Sequence, residues 1–383
     1  MKRPLPYLAK HALRAFIIAA ATVAIFAALQ QMLNTDWMEA ENIVSEHVQF
    51  SDLYFRLHAH TEPPTYNGRC VYVVDVHPYQ SREEVTELFE KIAAAQPYVV
   101  ALDMIFPSYS LTDSSADRRL VDAIRKLPNP IVALETRNDQ VIRSFFADNP
   151  HVCEAAVNLS TSIIRTWNST QIINNDTLLT FAAAIAQKLN IPVPNPDKEW
   201  LIDFSIVDTI PLRPDPNCPN LDILHDQIVI VGDVEDLRDT RLIPFSYRTS
   251  MKTSGVMVHK QIVQSIMSKH KFHTISKIWS WILTAIIIWL FLFSDFAING
   301  METIPESQKK AINYLTNCGI MILLVIITDL IFWTAGCYIN IWNVIFATGA
   351  LWVGQVLWES GSALFWISKQ IVKQIHWKKG KKK

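Results

Sequence analysis

HDQIVIVGDVEDLRDTRLIPFSYRTSMKTSGVMVHKQIVQSIM, residues 225–267, decides how this chain is read. Ile228, Val229, Ile230 and Val231 form an unbroken, branched apolar run, the composition of a strand covered on both faces. Gly232 ends the run, where a residue without Cβ permits a sharp turn of the backbone. An acidic loop follows with Asp233, Glu235, Asp236 and Asp239, and the apolar spacing of 256–266 predicts a helix.

Upstream, the same kind of strand recurs between helical patterns. CVYVVDV at 70–76 predicts a buried strand with Asp75 and His77 at its end. Ser81 and Glu84 then make a capping box, and Val85, Leu88, Phe89 and Ile92 share the apolar face of the helix it starts. YVVALDMI at 98–105 is the next strand, with Asp103 near its carboxyl end; a helix over 115–127 and a strand over 131–134 follow. Further predicted elements are a short strand at 157–159, an alanine-rich helix at 176–189, a strand at 200–206 before proline-rich punctuation, and a helix over 37–58. Strand and helix alternating at this spacing predict an α/β domain with a mainly parallel, helix-covered sheet.

Of the 383 residues, 50% are hydrophobic, and they concentrate at the two ends of the chain. The uncharged stretch 15–33 follows Lys2, Arg3, Lys10 and Arg14 and is long enough to cross a bilayer. With no small-residue cleavage site after it, it reads as an uncleaved anchor rather than a signal peptide. Downstream, 278–293, 315–333 and 341–358 bring the expected α-helical membrane region to about four transmembrane helices. Lys309 and Lys310 fall in a predicted loop at 294–314, and Lys369, Lys373 and a terminal KKGKKK follow the last span. Positive flanks face the cytoplasm, so both termini are expected inside and 34–277 outside the cytoplasm. Nine of the 12 tryptophans lie between Trp279 and Trp377, where some suit the headgroup level.

Several function classes find no footing. A net charge of -1 offers no global field for nucleic acid. Ten glycines are few for this length, and there is no P-loop, GxGxxG, GxSxG or HExxH. No CxxC or Cys/His ligand spacing appears, which leaves one disulfide open among Cys70, Cys153 and Cys218. The expectation is a protein that is not an enzyme, with no catalytic residues, metal or cofactor.

VVDV at 73–76, VVALDMIFP at 99–107, IVIVGDVEDLRDTRLIP at 228–244 and GVMVHKQIVQSI at 255–266 resemble, in order and spacing, the CHASE2 extracytoplasmic sensor domain of bacterial receptors. The plan of one span, a sensor domain and a cluster of about three spans is similar too. HPYQSREEV departs from the family's Trp-Pro-Arg-like stretch, keeping only Arg82, and SIIRTW keeps only Arg165 of an Asp-Gly-Val-Arg-like turn. The resemblance implies a receptor subunit of the bacterial cytoplasmic membrane. The sequence given carries only a basic tail after the last span, so the expectation is a sensor without its own catalytic output, signalling through a partner protein.

In a parallel sheet ligands gather beyond the carboxyl ends of the strands. The candidates there are Asp75, His77, Asp103, Gly232, Asp233, Asp236 and Asp239, whose oxygens suit a small molecule or a cation; the competing reading is carboxylates that brace loops and cap helices. Asp103 and Asp239 match positions that the family pattern keeps. His259 is a candidate pH sensor or a packed, satisfied histidine. Asp329, within the third predicted span, marks a polar helix contact or a solvated end. Lys369 and Lys373 lie opposite Ile367, Ile371 and Ile375 and suit a helix on the anionic inner leaflet or a basic stop-transfer flank. Expected partners are an unknown small ligand or an envelope protein outside, the lipid bilayer and a membrane or cytoplasmic effector, with a homo-oligomer left open. The alternative functions are a structural protein whose domain docks another envelope protein and, last, an extracytoplasmic enzyme.

Overall fold

The computed structural model describes residues 49–342 except 80, 110–113, 138–139, 160–162, 174–175, 194, 196–197, 207–211, 213–220, 245–251 and 269–270, together with 9, 12, 13, 15–17, 19, 20, 344, 345 and 348. The chain forms two compact units, one of residues 43–274 with 329–338, the other of 1–42, 275–328 and 339–383.

The first unit begins with α1 (Phe50–Leu57) and runs through β1 (Val71–Asp75), α2 (Arg82–Ala94), β2 (Val99–Leu102), α3 (Ser114–Lys126), β3 (Ile131–Arg137), β4 (Gln140–Ile142) and β5 (Cys153–Ala156). It continues with β6 (Thr166–Trp167), β7 (Thr170–Ile173), β8 (Asp176–Leu179), α4 (Phe181–Lys188), β9 (Trp200–Leu201) and β10 (Ile228–Gly232). After β11 (Thr240–Leu242) and β12 (Lys252–Ser254) comes α5 (Gly255–Met267), then β13 (His273–Thr274).

The core sheet is parallel in the order β1, β10, β2, β3, β5, with β4 turned back antiparallel on β3. From β1 through β2 and β3 to β5 the chain moves one way across the sheet, and it then returns to place β10 between β1 and β2. Right-handed crossovers in opposite directions send helices to opposite faces. Accordingly, Ile228 and Ile230 pack with Phe181 and Ile185 of α4 and Val256 and Ile262 of α5. Val229 and Val231 pack with Leu88 and Phe89 of α2 and Leu120 and Ile124 of α3. This double cover is what the unbroken Ile/Val run required. The capping box forms as the sequence predicts: Glu84 N donates to Ser81 Oγ at 3.2 Å and Ser81 N to Glu84 Oε2 at 3.0 Å.

Several predicted elements change. The predicted helix 176–189 starts only at Phe181, because 176–179 takes its backbone hydrogen bonds from β7 in an antiparallel hairpin. An Asn-Asn pair between two apolar runs is the turn signal that the alanine pattern masked. The strand expected at 157–159 lies at Cys153–Ala156, and that expected over 200–206 pairs only at Trp200–Leu201. Of the helix expected over 37–58, residues 37–48 lie outside the described residues.

The second unit contains α6 (Lys277–Asn299) and most of α7 (Glu306–Ala335). Among the described residues, two helices are long and apolar enough to cross a membrane, Ile278–Asn299 and Glu306–Ala335, rather than the four expected. The other two expected spans, 15–33 and 341–358, fall largely outside the described residues. The loop expected at 294–314 shrinks to 300–305, so Lys309 and Lys310 lie in the first turns of α7. Polar pairing sustains the helices past their apolar stretches: Asn313 bonds Asp295, and Lys309 Nζ donates to Asn299 O at 3.1 Å and Glu306 Oε1 at 2.6 Å.

Candidate functional site

β10 is the strand at which the sheet's winding reverses, and the groups beyond its end come from β1 on one side and β2 on the other. Asp75 is fully buried. Its Oδ1 accepts from the backbone N–H of His77 and of Val234, both at 3.1 Å, tying the loop after β1 to the loop after β10. His77 Nδ1 lies 3.1 Å from Asp233 Oδ1, and its Nε2 lies 3.5 Å from Glu235 Oε2. Asp236 Oδ1 accepts from the Arg238 backbone at 2.9 Å, and the Arg238 guanidinium holds this carboxyl below the usual range. Four of the seven candidates thus brace loops.

Gly232 serves close packing rather than a turn. An added Cβ would stand 2.9 Å from Val256 Cγ2 and 3.2 Å from Asp103 Cβ, so α5 and the end of β2 approach the strand only because no side chain intervenes.

The remaining two candidates come together. Asp239 Oδ2 accepts from Gly255 N at 3.0 Å, capping the first turn of α5, and its Oδ1 lies 2.6 Å from an Arg241 guanidinium nitrogen. Burial raises the Asp239 carboxyl, the charge of Asp103 adds to the rise, and Arg241 opposes it. Burial pushes partly buried Asp103 up to about 7 despite Arg241. His259, one turn into α5, is 4% exposed and bonds Val157 O through Nε2 at 3.2 Å. Burial pushes it down to about 4, so it is neutral and packed at ordinary pH; the pH-sensing reading of this histidine is replaced by the packed one.

These shifts have opposite consequences for stability. Between about pH 4 and 7 the folded state keeps a proton on Asp103 that the unfolded chain releases, so this group makes stability fall as pH rises. Between about pH 4 and 6.5 the unfolded chain binds a proton on His259 that the folded state refuses, so stability rises with pH. Relative to the parent, the pH dependence of thermal unfolding from pH 4 to 8 is expected to shift toward rising stability in Asp103→Asn and toward falling stability in His259→Gln. Parallel profiles in both variants and the parent would contradict the assignment.

A second constellation lies at the carboxyl end of α7, whose last turns belong to the first unit. Asp329 has a polar partner: its Oδ2 lies 3.3 Å from His58 Nε2. The His58 ring stacks on Trp333 with centroids 4.2 Å apart. Phe332 is fully buried among Tyr54, Phe55 and Phe272, with centroids at 5.4, 5.0 and 4.5 Å. Gly336, at φ +66°, then turns the chain so that β14 (Cys337–Tyr338) pairs with β13. Nothing in the sequence singled out these aromatics, because Phe332 and Trp333 sit in an apolar run indistinguishable from lipid-facing residues.

Arg82 pairs with Asp117 beside the rings of Phe106 and Phe145, and Arg165 pairs with Asp52 of α1. Lys369 and Lys373 lie outside the described residues. Among the described residues no group of three His, Cys, Asp or Glu is placed to hold a metal ion. A family model described as the CHASE2 domain matches residues 18–296. No curated protein and no solved structure matches the chain.

Proposed function

The chain belongs to the CHASE2 domain family, and from that premise we propose that it is an integral membrane sensor whose α/β unit binds a ligand outside the cytoplasm and signals through a partner protein. The reading has four spans in the cytoplasmic membrane, with 34–277 outside and both termini inside.

One observation carries the proposal: the α/β unit includes the end of a membrane-length helix. Residues 329–338 belong to its compact body, with Phe332 in its aromatic core and β14 in its small sheet. A rearrangement of α1, of the segment around Phe272 or of β13 therefore changes what the end of α7 packs against. Packed aromatic clusters switch between discrete arrangements rather than deform continuously, which suits a transmitted signal. At the other end of the unit, the Asp239 cap links the loop after β10 to α5, and α5 leads to Phe272.

The test is affinity purification of the tagged protein from its native membranes in mild detergent, followed by mass spectrometry, beside a version truncated after Gln370. The expected result is a co-purifying protein with a cytoplasmic effector domain that is lost on truncation. Recovery of envelope proteins alone would overturn the reading in favour of a docking role.

A further inference from the structure

A cleft of about 230 Å³ opens beyond the carboxyl end of β5. Trp167 and Gln171 from the β6–β7 segment, His259 and Ile262 from α5, and Glu199 beside β9 are among its lining residues. It holds none of the seven residues at the ends of β1, β2 and β10 considered above.

Three of its polar groups call for a donor. Gln171 Oε1 is buried in the cleft wall and has no hydrogen-bond partner among the described residues. Such an orphaned carbonyl is costly to bury unless a donor reaches it. His259 is neutral and spends Nε2–H on Val157 O, so its Nδ1 is an acceptor. Glu199 is exposed at the rim, where Oε1 already accepts from Thr166 Oγ1 at 2.5 Å and Oε2 remains to accept another donor. Among the described lining residues there is no lysine or arginine. The 8% exposed Trp167 ring supplies an aromatic wall that favours a cation near its face, and Ile262 and Leu159 supply apolar contact. The volume is below that of pockets for drug-sized ligands, which sets the occupant's size at roughly a dozen heavy atoms or fewer.

We propose that this cleft is the sensor's ligand site and that it takes compact primary ammonium compounds, the ammonium group lying toward Glu199 and its N–H donors reaching the acceptors of the cleft. An anion would meet the Glu199 carboxylate with no lysine or arginine among the described lining residues to offset it. An uncharged polyol would satisfy Gln171 but leave Glu199 and the Trp167 face without a matching charge.

That this is where sensing occurs rests on the sensor reading; the binding itself does not, and the two are tested apart. The full chain in detergent is titrated calorimetrically with butylamine, 1,4-diaminobutane and 2-phenylethylamine, with 1,4-butanediol and succinate as uncharged and anionic counterparts. At least one amine is expected to bind saturably, one per chain, and to raise the unfolding midpoint, while the diol and succinate do neither. Glu199→Gln, at an exposed position that leaves the fold intact, and Gln171→Leu are each expected to weaken the amine at least tenfold. Equal binding of the diol, amine binding unchanged in Glu199→Gln, or no binding by any amine would overturn the assignment. None of those results touches effector co-purification, which stands or falls with the sensor reading alone.

Discussion

Replacing Gly336 by Ala is expected to destabilise the packing of the end of α7 in the α/β unit by about 2–5 kcal/mol. Two independent penalties add. At φ +66° a side chain imposes left-handed strain, roughly 1–2 kcal/mol. The new Cβ would also stand 2.3 Å from the carbonyl oxygen of Lys271, a backbone atom that cannot rotate away, and overpacking of this kind costs about 1–3 kcal/mol. Gly336 O meanwhile accepts from His273 N at 2.8 Å, so displacement of either strand breaks the bond that starts the β13–β14 pair. Hydrogen exchange on the full chain should show lost protection at His273 and over 332–338, with the core sheet unaffected. Protection unchanged in that segment would mean that the glycine is dispensable. In the sensor reading the same variant should retain ligand and lose signalling, because the break falls between the α/β core and the membrane helix.

Asp52→Ala is expected to cost about 3–5 kcal/mol, the usual penalty for leaving one member of a buried ion pair behind. Asp52 and Arg165 are 8% and 7% exposed and meet in a two-pronged pair, with Nε to Oδ1 at 3.1 Å and the second guanidinium nitrogen to Oδ2 at 2.9 Å. Asp52 also accepts from Gln49 N at 3.0 Å, closing the capping box of α1. The carboxylate therefore starts the helix and fastens it to the segment leading into β6. Chemical denaturation of Asp52→Ala, Arg165→Ala and the double variant should show strong coupling. Additive losses, or a single-variant loss below about 1 kcal/mol, would refute the pairing's importance.

The sequence made the core sheet legible because its strands are buried on both faces. Ile228 to Val231 had to be covered twice, and Ser81 with Glu84 marked a helix start that needed no tertiary context. Segments that borrow their hydrogen bonds from elsewhere were not legible. Residues 176–179 carry no strong signal until β7 pairs with them. Trp200 and Leu201 are a strand only because β6 and β13 lie beside them. At the sheet's edge the sequence rightly gathered acidic residues, but their partners are backbone amides and neighbouring arginines that spacing does not disclose. The acceptors of the cleft, Gln171 and His259, come from β7 and α5, elements far apart in the chain, which no local motif announces. Phe332 was hidden for a simpler reason: a buried aromatic and a lipid-facing one look alike in an apolar run.

The central place of β10 has a consequence for how the protein is made. Val71 pairs with Ile228, so a strand near the start of the unit must wait for one synthesised near its end. Until then β1 and β2 each present an unpaired edge, and loop closure over most of the unit's length makes the pairing slow. Such open, apolar edges are sites for association with other chains. The long-range strand is followed almost at once by α5 and then α6, so in the sensor reading export of the closing strand and insertion of the next helix would be nearly simultaneous events. A pause in synthesis before residue 228 would hold an exposed half-sheet, and capture by chaperones or proteases would compete with completion.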